Sequence, residues 1–230
     1  MKKISSTVKP TLTDKNKMDR LKFCLSKVNI TKNGDLLFDD LYDYVHIDEK
    51  WFYLTKVKRS YYLMLSEEKP NRAKGTIITK NMESITAVHC KNMMIDNVIP
   101  AIKSKFPPAY KKKTIYVQQD NAKPHFSDND ADIVALGSAF DWNSKFKAQP
   151  ANSPDLNVLN LDAFHQLEAN TLDNVFTTLQ ACMESIMLAD GGNGYKIPHL
   201  SKGKLRREGR LLEKYVRSKE SYVKAKSNFE

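Results

Sequence analysis

Apolar residues recur at helical spacing near the start of the chain, where Met18, Leu21, Phe23, Leu25 and Val28 follow Thr13 and Asp14, either of which can cap a helix that runs to Asn29. Asn33-Gly34 then marks a turn, and the period changes. Over 44–54, β-branched and aromatic residues alternate with charged ones, which predicts a strand with Asp48 and Glu49 at its middle. After a basic turn at 56–59, Tyr61-Tyr62-Leu63-Met64-Leu65 predicts a second short strand, hence a hairpin, and 66–79, with Pro70 and Gly75, reads as a loop. A helix is predicted over 82–105, with Ile85, Val88, Met93, Ile95, Val98 and Ile102 facing inward and Pro100 bending or splitting it. A strand over 114–121 runs into Asp120, a short helix follows over 128–136 until Gly137, and 145–148 predicts another strand. Pro150 and Pro154 bracket a rigid turn. Helices are predicted from Asp155 through Leu167 and from Leu172 to Leu188, and a basic, weakly amphipathic one over 201–226. The alternation of strands and helices predicts an α/β chain with a mixed or parallel sheet.

Composition narrows the class. Hydrophobic residues make up 41% of the 230-residue chain, enough to bury a core in one domain with an appendage. Cys24, Cys90 and Cys182 are odd in number and far apart, which supports neither a disulfide framework nor a zinc knuckle and points to a reducing compartment. The stretch after Met1-Lys2-Lys3 lacks the apolar core of a signal peptide, and no run approaches the ~18 residues of a membrane span, so a soluble intracellular protein is expected. The net charge of +10 is uneven: residues 1–40 carry nine basic and five acidic side chains, 196–230 eleven and four, and the middle seventeen and eighteen. A near-neutral centre with basic ends suits a polyanionic partner, although solvated helix faces give the same numbers.

Candidate chemistry gathers at strand ends. A carboxylate on a strand otherwise suited to burial costs several kcal/mol unless paired, and a bound cation is one such partner, which makes Asp48 a candidate metal ligand. Asp48, Glu49 and Lys50 are equally the wet positions of a half-exposed strand. Asp120 shifts the balance, because sites in parallel sheets form outside the carboxyl ends of strands, where two such aspartates can meet. Lys111, Lys112 and Lys113 at the entrance to the Asp120 strand are a candidate phosphate contact or a solvated entrance. Ser153 has no glycine elbow, and no glycine-rich phosphate loop occurs.

Several strings, taken together and in order, resemble one family. His46-Ile47-Asp48-Glu49-Lys50-Trp51-Phe52, Gln118-Gln119-Asp120-Asn121-Ala122-Lys123-Pro124-His125 and Asn152-Ser153-Pro154-Asp155-Leu156-Asn157-Val158-Leu159 are similar to the catalytic domain of plant-type mariner-like transposases, and Gly191-Gly192-Asn193 with Tyr195-Lys196-Ile197-Pro198-His199 is similar to that family's tail. The resemblance implies an RNase H-like mixed sheet flanked by helices, in which three acidic residues bind two Mg²⁺ or Mn²⁺ ions for DNA cleavage and strand transfer. Asp48 and Asp120 match the first and second ligands. At the third position, with 39 residues between it and Asp120, stands Asn160, a neutral amide. The resemblance further implies supporting roles for Glu49, Asn121 and His125, and it leaves Asp155 and Asp162 as substitutes for the lost carboxylate. Asp155 is better suited to a helix cap, and Asp162 points about 200° round a helix.

This chain lacks a long segment that the family carries between Gly75 and Thr76, which implies the loss of central strands, and its N-terminal DNA-binding helices are missing except for a remnant. The implied organisation is a helical remnant and linker over 1–40, an internally deleted catalytic domain over 41–200 and a basic helical tail over 201–230. The implied partners are DNA, ancestrally transposon terminal repeats, gripped by Lys111 to Lys113 and by Lys204, Arg206, Arg207 and Arg210, and a second copy of the chain in a homodimer. No membrane or small-molecule cofactor is implied, the location is the nucleus, and cleavage is expected to be impaired.

Overall fold

The computed structural model describes residues 9–48, 86–121, 126–158, 169–196, 200–209 and 219–230. Helix α1 (Asp14–Ser26) starts at Thr13, whose hydroxyl accepts from the Asn16 amide while the Asn16 side chain accepts from the Thr13 backbone, a reciprocal cap. The helix stops at Lys27, earlier than the apolar period suggested. Val28 belongs instead to strand β1 (Val28–Ile30), which pairs antiparallel with β2 (Leu36–Phe38). The signal for this hairpin was Asn33-Gly34 between two apolar alternations, and Gly34 adopts φ +80°, which a side chain resists.

Strand β3 (Tyr44–His46) pairs parallel with β4 (Ile115–Gln119), which pairs parallel with β5 (Ser144–Ala148). Between β3 and β4 lie α2 (Ala87–Met93), a π-helical turn (Met94–Val98) and α3 (Ile99–Lys105). The π turn inserts an extra residue, with the Ile99 amide bonded to the Met94 carbonyl, and so rotates the inward face. This is why Val88 and Met93 are exposed, contrary to the single-helix expectation, while Met94, Ile99 and Ile102 are buried. Pro100, which has no amide to donate, follows directly in the first turn of α3.

Helix α4 (Ala131–Ser138) connects β4 to β5, starts three residues later than the predicted 128, and is capped by Asp130, with its carboxylate accepting from the Asp132 and Ile133 amides. Gly137 does not stop it. It is buried inside the helix, where a Cβ would come within 2.9 Å of the Phe146 ring, so the absent side chain lets α4 approach β5. Met94, Ile99, Ile102 and Ile133 cover one sheet face, against Ile115, Val117, Trp142 and Phe146.

The opposite face carries Tyr44 and Tyr116 and is covered by α1, by the long helix α5 (Ala169–Leu188) and, beyond them, by α7 (Lys219–Ser227). The basic tail is therefore not one helix. A short α6 (Lys202–Arg207) ends at Gly209, with φ +63°, and α7 buries Ser221 and Ala225 in the same core as Leu21 and Met183. The chain is thus a mixed α/β structure with helices on both faces of a three-stranded parallel sheet. The predicted strand at 61–65, the loop at 66–79, the 49–54 part of the first strand and the helix beyond Val158 lie outside the described residues. No described helix is long and apolar enough to cross a membrane.

A buried ion pair ties three distant segments together on this second face. Arg20, fully buried on α1, donates from both terminal nitrogens to the two Asp155 oxygens at 2.8 Å, and from Nε to the Gly191 carbonyl at 2.8 Å. The Tyr195 hydroxyl donates to the same carboxylate. Gly191, at φ +81°, leaves no room for a Cβ, which would sit 2.2 Å from the Lys17 carbonyl oxygen. Gly191→Ala is expected to destabilise the chain by about 2 kcal/mol or more, from left-handed strain and the forced backbone shift. Gly203→Ala in α6, where nothing lies within 4 Å, is expected to be neutral or to stabilise by up to about 1 kcal/mol. Urea unfolding of the two variants checks the contrast.

Candidate metal and nucleic-acid site

The register of the parallel pair defines the site. Tyr44 lies opposite Tyr116 and His46 opposite Gln118, and the Ile47 amide donates to the Gln118 carbonyl at 2.9 Å. Asp48 and Asp120 follow two residues and one residue beyond the carboxyl ends of these paired strands. Asp48 was expected in the middle of a strand. It stands instead two residues beyond β3, half-buried, where the chain has left the ladder.

Asn157 reaches this point from the turn after β5. That turn leaves the strand through Gln149, whose amide donates to the Gln119 carbonyl, and passes Asn152 at φ +56° into a single 3₁₀ turn (Pro154–Leu156). Asn157 is 4% exposed, and its amide nitrogen donates to an Asp48 carboxylate oxygen at 2.9 Å. A cleft of about 290 Å³ opens beside it, lined by Asp120, Asn121, Gln149, Asn152, Ser153 and Asn157 among others. Asp48, Asp120 and Asn157 thus come from three segments to one end of the sheet. Sequence reasoning quoted Asn157 within a motif but assigned it no role; its approach to Asp48 depends on a turn that residue spacing does not reveal.

Asp155, weighed as a cap and as a substitute ligand, faces the other way. Burial alone would raise its carboxyl pKa, but the Arg20 hydrogen bonds and charge outweigh that and hold it below the ordinary range. Both of its oxygens are engaged by Arg20. Glu49, His125, Asn160 and Asp162 lie outside the described residues. Among the described residues, no three His, Cys, Asp or Glu side chains form a ligand group.

The candidate phosphate contacts are elsewhere. Lys111, Lys112 and Lys113 are exposed at the amino end of β4, with Lys113 3.3 Å from Asp43 and the Lys111 ammonium 5.8 Å from the Trp142 ring. Asp120 is seven extended residues further on, roughly 23 Å at strand rise. Arg206 pairs with Asp173 at 3.2 Å, Lys204 with Glu208 at 3.9 Å, and Arg207 donates to the Gly203 carbonyl. Arg210 lies outside the described residues. The lysines at 111–113 thus lie at the opposite end of β4 from Asp120.

One step below the carboxylates, a polar layer is buried. Lys27, 2% exposed, packs its ammonium 3.9 Å from the Tyr44 ring centre and 4.9 Å from that of Phe23, and donates to the Gln118 side chain at 3.4 Å. Burial pulls its pKa down to about 7, against the partial support of Asp39, and Lys147 lowers it further. His46 beside Gln118 is pulled down to about 4, by burial first and by Lys27 second.

An amine whose folded pKa lies below its unfolded value opposes folding when charged. Its penalty is full below pH ~7 and is relieved as pH rises from ~7 to ~10.5, a slope of about 1.4 kcal/mol per pH unit. Lys27→Met is expected to raise stability at pH 6–7 and to flatten this rise, as read by urea unfolding across pH. Comparison of the chain with protein-family models, with curated proteins and with solved structures finds no match.

Proposed function

We propose that the chain is a mariner-like transposase-derived protein with an RNase H-like sheet, in which Asp48 and Asp120 hold Mg²⁺ or Mn²⁺ against DNA, with cleavage impaired by Asn160. The observation that supports this reading is that Asn157, whose amide donates to Asp48, lines one cleft with Asp120 beyond the carboxyl ends of two paired parallel strands. The donor set suits a hard cation. Two aspartates past the ends of paired strands offer anionic oxygens, and Asn157, which orients Asp48, carries a neutral carbonyl oxygen besides. Divalent ions at such a pair neutralise charge on the attacking and leaving oxygens of a phosphodiester. With an amide at position 160, one negative charge fewer is available to hold two dications, which weakens the second ion.

A second reading is a non-catalytic nucleic-acid-binding remnant, favoured by the same neutral Asn160 and by the amide that already satisfies one Asp48 oxygen. In it, contact with DNA runs through the exposed lysines at 111–113 and the basic tail, in the nucleus.

Nicking of a labelled duplex in Mg²⁺ or Mn²⁺ separates the two. Residual cutting that disappears in Asp48→Ala supports the enzyme, and no cutting at any metal concentration removes it. Asn160→Asp is expected not to restore robust cleavage, because the segment that the family carries after Gly75 is absent as well; strong cutting by this variant contradicts that expectation. For the remnant, affinity for duplex DNA should fall steeply with salt and depend little on sequence. A salt-insensitive or absent interaction discards it.

A further inference from the structure

The geometry points to Arg20 as a positioning residue: by clamping Asp155 it holds Asn157 against Asp48, so that a helix some thirty positions before the first aspartate sets the shape of the candidate cation site. The chain of contacts is short. Arg20 is fully buried and binds both Asp155 oxygens at 2.8 Å. Asp155 lies in the 3₁₀ turn that delivers Asn157, two residues on, and the Asn157 amide donates to Asp48 at 2.9 Å. With Asp155 pinned from one side by Arg20 and from the other by Tyr195, the turn has little freedom to rotate, and Asn157 follows it.

The far side of the clamp is anchored as well. Arg20 Nε donates to the Gly191 carbonyl, the Asn193 side chain donates to the Pro10 carbonyl, and Lys9 donates to the Asn193 and Tyr195 carbonyls. Residues 9–20 therefore brace the 191–195 turn and, through it, the site. A planar guanidinium is needed for this. It satisfies two carboxylate oxygens and a carbonyl at once, which an ammonium cannot do in the same geometry.

A buried Arg–Asp pair can also serve stability alone, and the test must separate the two roles. In the full-length chain without metal, the Asn157 side-chain amide resonances, identified by their loss in N157A, should move in D48N if they report the contact. They are expected to move in R20K too. Where R20K fails to fold, D155N, which weakens the same Arg20–Asp155 pair from its other side, carries the same test. Asn157 resonances unchanged in the folded variant overturn the proposal.

The second readout rests on the reading of Asp48 and Asp120 as a cation site. By calorimetry, R20K is expected to raise the Mn²⁺ dissociation constant about tenfold, as outer-shell partners of metal ligands do. In an N157A background the same change should alter it by less than about twofold, because the two residues act in series. Equal factors in both backgrounds show that Arg20 acts by another route and overturn the proposal. Absence of Mn²⁺ binding by the unaltered chain removes the cation reading, and the amide resonances then decide the role of Arg20 by themselves.

Discussion

Everything at the candidate site depends on one register, the parallel pairing of Tyr44–His46 with Ile115–Gln119. A slip of one residue would turn every β3 side chain to the other face and break the approach of Asp48 to Asn157. Three features hold the register. Tyr44 stacks on Tyr116 at 4.8 Å on one face, Val45 and Val117 enter the core on the other, and the Ile47 amide extends the ladder by one bond to Gln118. With only three residue pairs in β3, no single feature would suffice; agreement between the two faces makes the alternative costly.

The layer beneath the aspartates is unusually polar for a sheet face packed by helices. Lys27 and Gln118 are buried there beside His46, and neither His46 ring nitrogen nor the Gln118 amide nitrogen has a hydrogen-bond partner among the described residues. Each such group costs about 1–3 kcal/mol. The aromatic rings of Phe23, Tyr44 and Tyr116 recover part of the Lys27 cost through cation–π contact, most strongly where the ammonium is desolvated. Stability is given up close to the two carboxylates, while the apolar packing of Leu179, Met183, Ile186 and Met187 on α5 supplies it further away. Departures from local consistency of this kind gather where a protein has something to do besides fold.

Arg20 and Asp155 extend that logic to the ends of the chain. Neither α1 nor the 191–195 turn belongs to the sheet, yet both meet at the guanidinium, and the turn that carries Asn157 is fastened to them. Leu21 and Ala225 sit in one core with Met183, so the terminal helices complete the layer over Tyr44 and Tyr116 rather than trail from it. Two cations of the carboxyl end are paired with acidic residues from the region of α5, Arg206 with Asp173 and Lys224 with Asp190. Such partly exposed pairs contribute little energy each.

The amino-acid order by itself determined where most elements begin. The Thr13 cap, the strand into Asp120, the strand before Pro150 and the helix up to Leu188 are set by local preferences and by a single apolar period, and these survive in the structure. It also marked Asp120 as a carboxylate at a strand end and Asp48 as a candidate ligand, the latter within a longer strand than the three-residue β3. Tertiary structure decided the rest. The π turn at Met94–Val98 changed which face of the 87–105 helix is buried, because an inserted residue rotates everything after it. Gly137 sits inside a helix because Phe146, from a strand not yet made, needs the space. Asn157 and Arg20 gained their places at the site through contacts across 109 and 135 positions. Periodicity reports only what neighbours along the chain share, and contacts of that span exist only once the sheet has closed.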